Sequence, residues 1–207
     1  MTSDVYRFLI PICALAALCL YWGLVAVAAV LLLLAVFVIY FFRNPAREIP
    51  AGEHLVVSPA DGRVVRVEPI PQGDGEMSGG LSISIFLNIF NVHVTRVPMS
   101  GELESVEYKR GRFKAAYDDE ASRVNEQNIL TIRGARHRLI VKQIAGLIAR
   151  RVVCWKKPGC TLRRGELFGL IRFGSRVDIL LPREVRVLVS VGDRVKGGSS
   201  VIGEVVG

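Results

Sequence analysis

Residues 8–42 form an unbroken run of 35 side chains without a charge. No other feature of the chain restricts its fold so strongly. A membrane-crossing helix takes about 20 apolar residues, so the run is too long for one helix and short for two complete ones. Gly23, directly after Tyr21 and Trp22, divides it into a shorter first half and a longer second half. Pro11 weakens the first half as a regular helix. A secretory signal peptide would have a short apolar core and a small-residue cleavage site; here the apolar stretch continues to Tyr40-Phe41-Phe42 and meets Arg43 and Arg47. A helical pair buried in protein would need a large partner surface, which the strand-rich remainder does not offer. Arg7 lies before the run and Arg43 and Arg47 after it, and basic flanks on both sides place both ends in the cytoplasm. The expectation is a helical hairpin over residues 1–42 that dips into or across the cell (inner) membrane. Its far turn lies near Tyr21-Trp22, and the domain that follows faces the cytoplasm. A single span is the alternative.

The first 42 residues contain one acid, Asp4, and one base, Arg7, so the whole net charge of +8 falls on residues 43–207. A basic domain tethered at a bilayer is drawn to anionic lipid head groups. Nucleic acid is the other usual partner of such a domain. No helix-turn-helix, zinc finger or aromatic-basic stripe supports it, and no nucleic-acid partner is expected. Cys13 and Cys19 lie inside the apolar run, and Cys154 and Cys160 are too far apart for a CxxC redox motif. The three histidines, His54, His93 and His137, form no HExxH or HxH pattern, so no metal site is expected.

Beyond Arg47 the pattern changes to short runs rich in valine and isoleucine, separated by Gly, Pro and Asp. Strands are expected at 55–58, 63–68, 81–87, 93–98, 102–108, 129–133, 138–144, 166–172, 176–181, 185–191 and 201–206. A short helix or loop is expected at 118–128. A mobile loop is expected at 72–80, where four of nine residues are Gly. Val57-Ser58-Pro59-Ala60-Asp61-Gly62-Arg63-Val64 resembles the opening of a lipoyl- or biotinyl-type half-barrel. Val191-Gly192-Asp193-Arg194-Val195-Lys196-Gly197-Gly198 resembles its later hairpin. In such turns Gly supplies positive φ and Asp bonds its own backbone. The fold class read from these patterns is mostly β. It is a barrel-sandwich domain over residues 43–207, preceded by the helical hairpin. The hairpin lacks the exposed lysine that carrier domains modify, so carrier function does not follow.

The dipeptide Gly174-Ser175 lies between two β-type runs. Gly inside a strand marks a bend or a close backbone approach, and a Ser directly after it can turn its hydroxyl onto the preceding carbonyl. That arrangement suits an N-to-O acyl shift; on its own it also suits a β-bulge. His93 sits in an apolar run, where a hydrogen-bonded structural histidine is the plain alternative to a catalyst. Asp61 sits in a Pro-Ala-Asp-Gly turn, where Asp is a common turn former.

Taken in order, Ser-Pro-Ala-Asp-Gly at 58–62, Phe-Asn-Val-His-Val-Thr-Arg-Val-Pro at 90–98 and Arg-Phe-Gly-Ser-Arg-Val-Asp at 172–178 form a specific set. Asn125-Glu126-Gln127-Asn128 and the stretch from Gln143 to Arg151 lie between them. Together they closely resemble the short, membrane-associated, archaeal-type form of phosphatidylserine decarboxylase, a pyruvoyl-dependent family. The resemblance covers essentially all of residues 43–207.

The resemblance implies that Ser175 attacks the carbonyl of Gly174 to give an ester. β-Elimination and hydrolysis then leave a covalent pyruvoyl group, derived from Ser175, at a new N-terminus. The products are a larger chain of residues 1–174 (β in this family) and a smaller one of residues 175–207 (α). The pyruvoyl carbonyl then forms a Schiff base with the amine of phosphatidylserine and serves as an electron sink while carbon dioxide leaves, yielding phosphatidylethanolamine. A serine hydroxyl needs a neighbouring base. His93 is the candidate, with Asp61 orienting its ring or stabilising its charged form, and His93 is also the proton donor of choice by residue type. The expected partners are the anionic lipid, the membrane and the two chains of one proenzyme, with a higher oligomer left open.

Longer relatives have two histidines three residues apart in this segment; here they are His93 and Arg96. Their Leu-Gly-Ser-Thr is Phe-Gly-Ser-Arg here. Arg96 and Arg176 are candidates for substrate phosphate or carboxylate, or for packing. A non-enzymatic membrane-anchored barrel-sandwich adaptor is the alternative function. Such an adaptor needs no Gly-Ser cleavage, and its soluble domain normally faces away from the cytoplasm.

Overall fold

A computed structural model describes residues 5–72, 77–114, 121–135, 137–146, 151–171 and 175–206. The chain divides into two compact units, Met1–Ala46 and Arg47–Gly207.

The first unit is a helical hairpin, which the single-span alternative does not describe. Helices α1 (Tyr6–Tyr21) and α2 (Val25–Phe41) run antiparallel, and the ring of Phe8 near the start of α1 stacks on Phe42 after the end of α2 at 5.6 Å. The turn is a Gly-terminated cap. Gly23 takes φ +73°, its amide bonds the Leu20 carbonyl, and the Leu24 amide bonds the Cys19 carbonyl. Only glycine takes that φ without steric cost. Tyr21 and Trp22 pack edge to face at this turn, both exposed. Small residues, Ala16, Ala28 and Ala35, are buried in the unit. Against expectation, α1 continues through Pro11. The proline removes one N–H near the helix start, a single bond to the Arg7 carbonyl, and the rest of the helix is untouched. No helix among the described residues is long and apolar enough to cross a membrane.

The second unit is mostly β. In chain order its strands are β1 (Leu55–Val57), β2 (Gly62–Pro69), β3 (Leu81–Leu87), β4 (Val94–Arg96), β5 (Gly101–Lys109), β6 (Gln127–Arg133) and β7 (Arg138–Ala145). They continue as β8 (Val152–Cys154), β9 (Thr161–Leu162), β10 (Leu167–Ile171), β11 (Ser175–Leu181), β12 (Val185–Val187), β13 (Arg194–Val195) and β14 (Val201–Val205). A short helix, α3 (Ala121–Val124), falls inside the expected 118–128 segment. Residues 73–76 of the expected 72–80 loop lie outside the described residues. Three strands, β8, β9 and β13, were not legible in the sequence; each is two or three residues long, too short for an alternating pattern to register.

An eight-stranded curled antiparallel sheet, in the order β13-β2-β3-β11-β7-β6-β5-β9, is the main layer. Two three-stranded sheets, β1-β14-β12 and β4-β10-β8, complete the unit. Period-2 alternation sets what faces the core. Along β11, Ser175, Val177, Ile179 and Leu181 share one face with Leu87, Ile85 and Ile83 of β3, and all are fully buried. Burying each large apolar side chain contributes about 1.5–3 kcal/mol. The two segments that suggested a half-barrel lock together. The Val64 amide bonds the Asp193 carbonyl, the Gly192 amide returns to the Val64 carbonyl, and the Gly198 amide bonds the Ser58 carbonyl. Asp193 closes its own turn, its carboxylate accepting from the Ser190 amide at 2.8 Å.

Candidate active site

The strands flanking Gly174-Ser175 belong to different sheets. β10 ends at Ile171 in the β4-β10-β8 sheet, and β11 begins at Ser175 in the middle of the eight-stranded one. Arg172, Phe173 and Gly174 lie outside the described residues, so the Gly174 half of the expected cleavage site carries no geometry. Ser175 does. It pairs with Leu87 of β3 on one side and Ala145 of β7 on the other. Its side chain is fully buried, and among the described residues its Oγ has no hydrogen-bond partner. Leaving a buried hydroxyl unpaired costs about 1–3 kcal/mol, and two flanking ladders hold it there.

His93 is also fully buried. It immediately precedes β4, and its carbonyl accepts from the Ile171 amide at 3.1 Å, at the last residue of β10. His93 thus bonds the last described residue before 172–174, and Ser175 is the first described residue after them. The His93 ring is set by Asn91, whose backbone oxygen lies 2.9 Å from Nδ1. A carbonyl oxygen can only accept, so Nδ1 carries a hydrogen and donates it to Asn91.

Asp61 does not orient that ring. Its Oδ1 and Oδ2 accept from Arg47 Nη2 at 2.9 and 2.7 Å, and Oδ1 accepts from the Gly197 amide at 2.8 Å. The carboxylate is thereby tied to the first residue of the β unit and to the turn after β13. The orienting contact expected of Asp61 is made by the Asn91 carbonyl. Sequence could not reveal this, because a backbone acceptor leaves no residue-type signal. Arg47 was visible only as a flanking charge of the apolar run.

Arg96, at the position of the second histidine of longer relatives, is half-buried and donates to the Gly165 carbonyl at 2.8 Å. Burial first, then the nearby Arg47 charge, pushes its guanidinium below the usual range, partly offset by Asp61. Arg176 is 1% exposed and paired with Asp178, Nε to Oδ1 at 2.8 Å and Nη2 to Oδ2 at 3.0 Å. This is an internal pair on the sheet face opposite Ser175.

Polar residues that the motifs contained without an assigned role form a bridge between sheets. Asn128 Nδ2 donates to Gln143 Oε1 at 3.1 Å, and Gln143 Nε2 donates to Thr95 Oγ1 at 2.8 Å. This joins β6 and β7 to β4 on the sheet face that carries Ser175. Gly169 of β10 makes the approach possible, since a Cβ there would lie 2.2 Å from the Val153 carbonyl oxygen and 2.7 Å from Gln143 Nε2. Asn125 satisfies its amide fully, bonding Lys114 N and O and the Ala145 carbonyl. It thereby steadies the residue paired with Ser175.

Known proteins align with this arrangement along nearly the whole chain. The family model for phosphatidylserine decarboxylase matches residues 34–203. A phosphatidylserine decarboxylase proenzyme of Solibacter usitatus is 50% identical over 203 residues, 98% of this chain and 95% of the relative. That of Symbiobacterium thermophilum is 48% identical over 191 residues, covering 92% and 87%. That of Syntrophus aciditrophicus is 46% identical over 178 residues, covering 86% and 84%. Motifs spread across both halves of the β unit and agreement over almost its full length lead to one conclusion: the chain belongs to the phosphatidylserine decarboxylase family.

Proposed function

We propose that this chain is a proenzyme that cleaves itself between Gly174 and Ser175 and then decarboxylates phosphatidylserine to phosphatidylethanolamine and carbon dioxide. The observation that carries the reading is the Ser175 hydroxyl, fully buried, without a partner among the described residues, and fixed at the head of a central strand. A serine that is to attack the preceding carbonyl has to be held in a fixed place and not committed to another hydrogen bond. When formed, that group supplies a ketone that condenses with the substrate amine and accepts the electron pair left as carbon dioxide departs.

The chain's own residues supply the proton chemistry. With Nδ1–H donating to Asn91, His93 Nε2 is the base that takes the Ser175 hydroxyl proton during processing. In turnover the same nitrogen returns a proton to the carbon that has lost carboxylate. Asp61 acts as a positioning residue, through the clamp it forms with Arg47 and Gly197. Strand β4 and the Gln143–Thr95 bridge keep the histidine's sheet in register with β11. At about 1.5 Å per residue, the 16- and 17-residue helices of the hairpin are shorter than the roughly 30 Å hydrocarbon core. A hairpin that enters the inner membrane from the cytoplasmic side suits that length and brings a basic domain to an anionic lipid.

The test is direct. Purified full-length protein is given phosphatidylserine in nonionic detergent micelles, and carbon dioxide and phosphatidylethanolamine are quantified together. Equal amounts of both are expected from wild type and neither from Ser175→Ala. Fully cleaved wild type that releases neither product would contradict the reading.

A further inference from the structure

A cavity of about 580 Å³ opens beside the site and is lined in part by Asp61, Asn91, Arg63, Arg194 and Lys196, with Phe90 at its edge. Two of these residues already belong to the site's framework: Asn91 sets the His93 ring and Asp61 anchors Arg47. Three basic side chains and one acid line the cavity. Several arginines of the β unit are paired with acids, Arg133 with Glu102, Arg138 with Glu104, Arg186 with Glu204 and Arg176 with Asp178. Arg63, Arg194 and Lys196 have no ion pair or side-chain hydrogen bond among the described residues. Arg63 and Arg194 are also direct cross-strand partners in the β2–β13 pair. Like charges placed opposite one another in a ladder destabilise it, and an anion between them reverses the sign of that contribution. The one acid in the lining, Asp61, is already neutralised by Arg47.

Phe90 lines the cavity, and Ile89 precedes it in the same turn. Ile89 and Phe90 are exposed, 37% and 60%. The turn that presents them is stitched by two side chains. Asn91 Oδ1 accepts from the Asn88 amide and Asn88 Oδ1 accepts from the Phe90 amide, each at 2.9 Å. A basic hollow for a phosphate with an exposed aromatic at its rim matches a ligand whose charged group lies just below an apolar surface.

We infer that Arg63, Arg194 and Lys196 form the binding site for the phosphodiester of a lipid head group, with Ile89 and Phe90 resting at the bilayer interface. The inference rests on the proposed decarboxylase reading and deepens it. A phosphodiester held here leaves the amine and carboxylate of the same head group, a few covalent bonds away, free to extend toward His93 and Ser175. Guanidinium groups grip phosphate oxygens through paired charge-assisted hydrogen bonds, which an ammonium cannot reproduce in full.

The probe is glycerophosphoethanolamine, a soluble phosphodiester without acyl chains, with inorganic phosphate as the comparison anion. Binding of both is measured by calorimetry on processed wild type, on Arg63→Gln/Arg194→Gln and on the conservative Arg63→Lys. In parallel, KM and kcat are measured with phosphatidylserine in nonionic micelles, where no bulk surface charge contributes. Losing a charge-assisted contact weakens affinity by about tenfold. The double variant should therefore lose glycerophosphoethanolamine binding at least tenfold, with the defect appearing in KM rather than kcat and Arg63→Lys falling between. Cleavage at Ser175 in the double variant, read by mass, reports that it has folded. Unchanged glycerophosphoethanolamine binding in a cleaved double variant would overturn the inference. So would a wild type that binds inorganic phosphate but not the phosphodiester, which would mark a free-anion site. Because calorimetry needs no turnover, a wild type that binds the phosphodiester yet decarboxylates nothing sinks the functional reading instead.

Discussion

Ser58 and Ser175 are both completely buried, and they use their hydroxyls in opposite ways. Ser58 donates to the Ala60 carbonyl at 2.7 Å and accepts from the Ala60 amide at 3.4 Å, closing the turn that delivers Asp61. Ser175 sits in a central strand and pairs on both sides, with Leu87 and Ala145, and among the described residues its hydroxyl has no partner. Local turn geometry absorbs one hydroxyl; long-range register holds the other in reserve. A buried serine is structural where the chain nearby can satisfy it; at Ser175, among the described residues, nothing does, and that leaves the hydroxyl open to the proposed chemistry.

The largest expected effect separates the two at once. Ser175→Ala should abolish cleavage and lower decarboxylation by at least about a thousandfold, while its unfolding free energy stays level or rises by up to about 1 kcal/mol as an unpaired buried hydroxyl disappears. Denaturant unfolding of this variant, set beside gel analysis of cleavage, checks both halves. A Ser175→Ala protein destabilised by several kcal/mol would mean that the hydroxyl has a structural partner after all.

His93→Ala comes next. Loss of a positioned proton carrier costs about 10²–10⁴-fold, seen in the rate of processing, of turnover or of both. Single-turnover kinetics on protein cleaved before assay separates the two roles. Gly169→Ala attacks the inter-sheet contact on the face that carries Ser175. A Cβ 2.2 Å from the Val153 oxygen forces β8 or Gln143 aside, and overpacking of this kind costs about 1–3 kcal/mol. Its melting temperature should fall, and its processing should slow because the His93 sheet shifts against β11. The smallest effect belongs to the other serine. Ser58→Ala should lose about 1 kcal/mol of stability and still cleave fully, so a processing defect there would erase the contrast between the two hydroxyls.

The sequence made some of this visible and hid the rest for physical reasons. The long valine- and isoleucine-rich strands were legible because alternation needs several residues to register. β11 was found within one residue of its start, and β3 at its observed bounds. The hairpin was legible from Gly23 and from the lack of charge, although Pro11 suggested more disruption than one missing amide hydrogen causes. Ser175 and His93 stood out in the sequence as residue types in company, and both are fully buried. What orients His93 was not legible, because the acceptor is the Asn91 backbone. The Arg47–Asp61 clamp was not legible either. It joins residues 14 apart through a partner that reads as a membrane-flanking charge. Arg63 and Arg194 came together only through the short β13 pairing, which leaves no pattern to follow.

One measurement bears on the central claim more directly than any other: the intact mass of purified wild type beside Ser175→Ala. The account predicts two wild-type chains, divided after residue 174, the smaller one blocked at its N-terminus by a group made from Ser175, and a single chain of full mass for the variant. A wild type that remains one chain of full mass while it decarboxylates phosphatidylserine would contradict it.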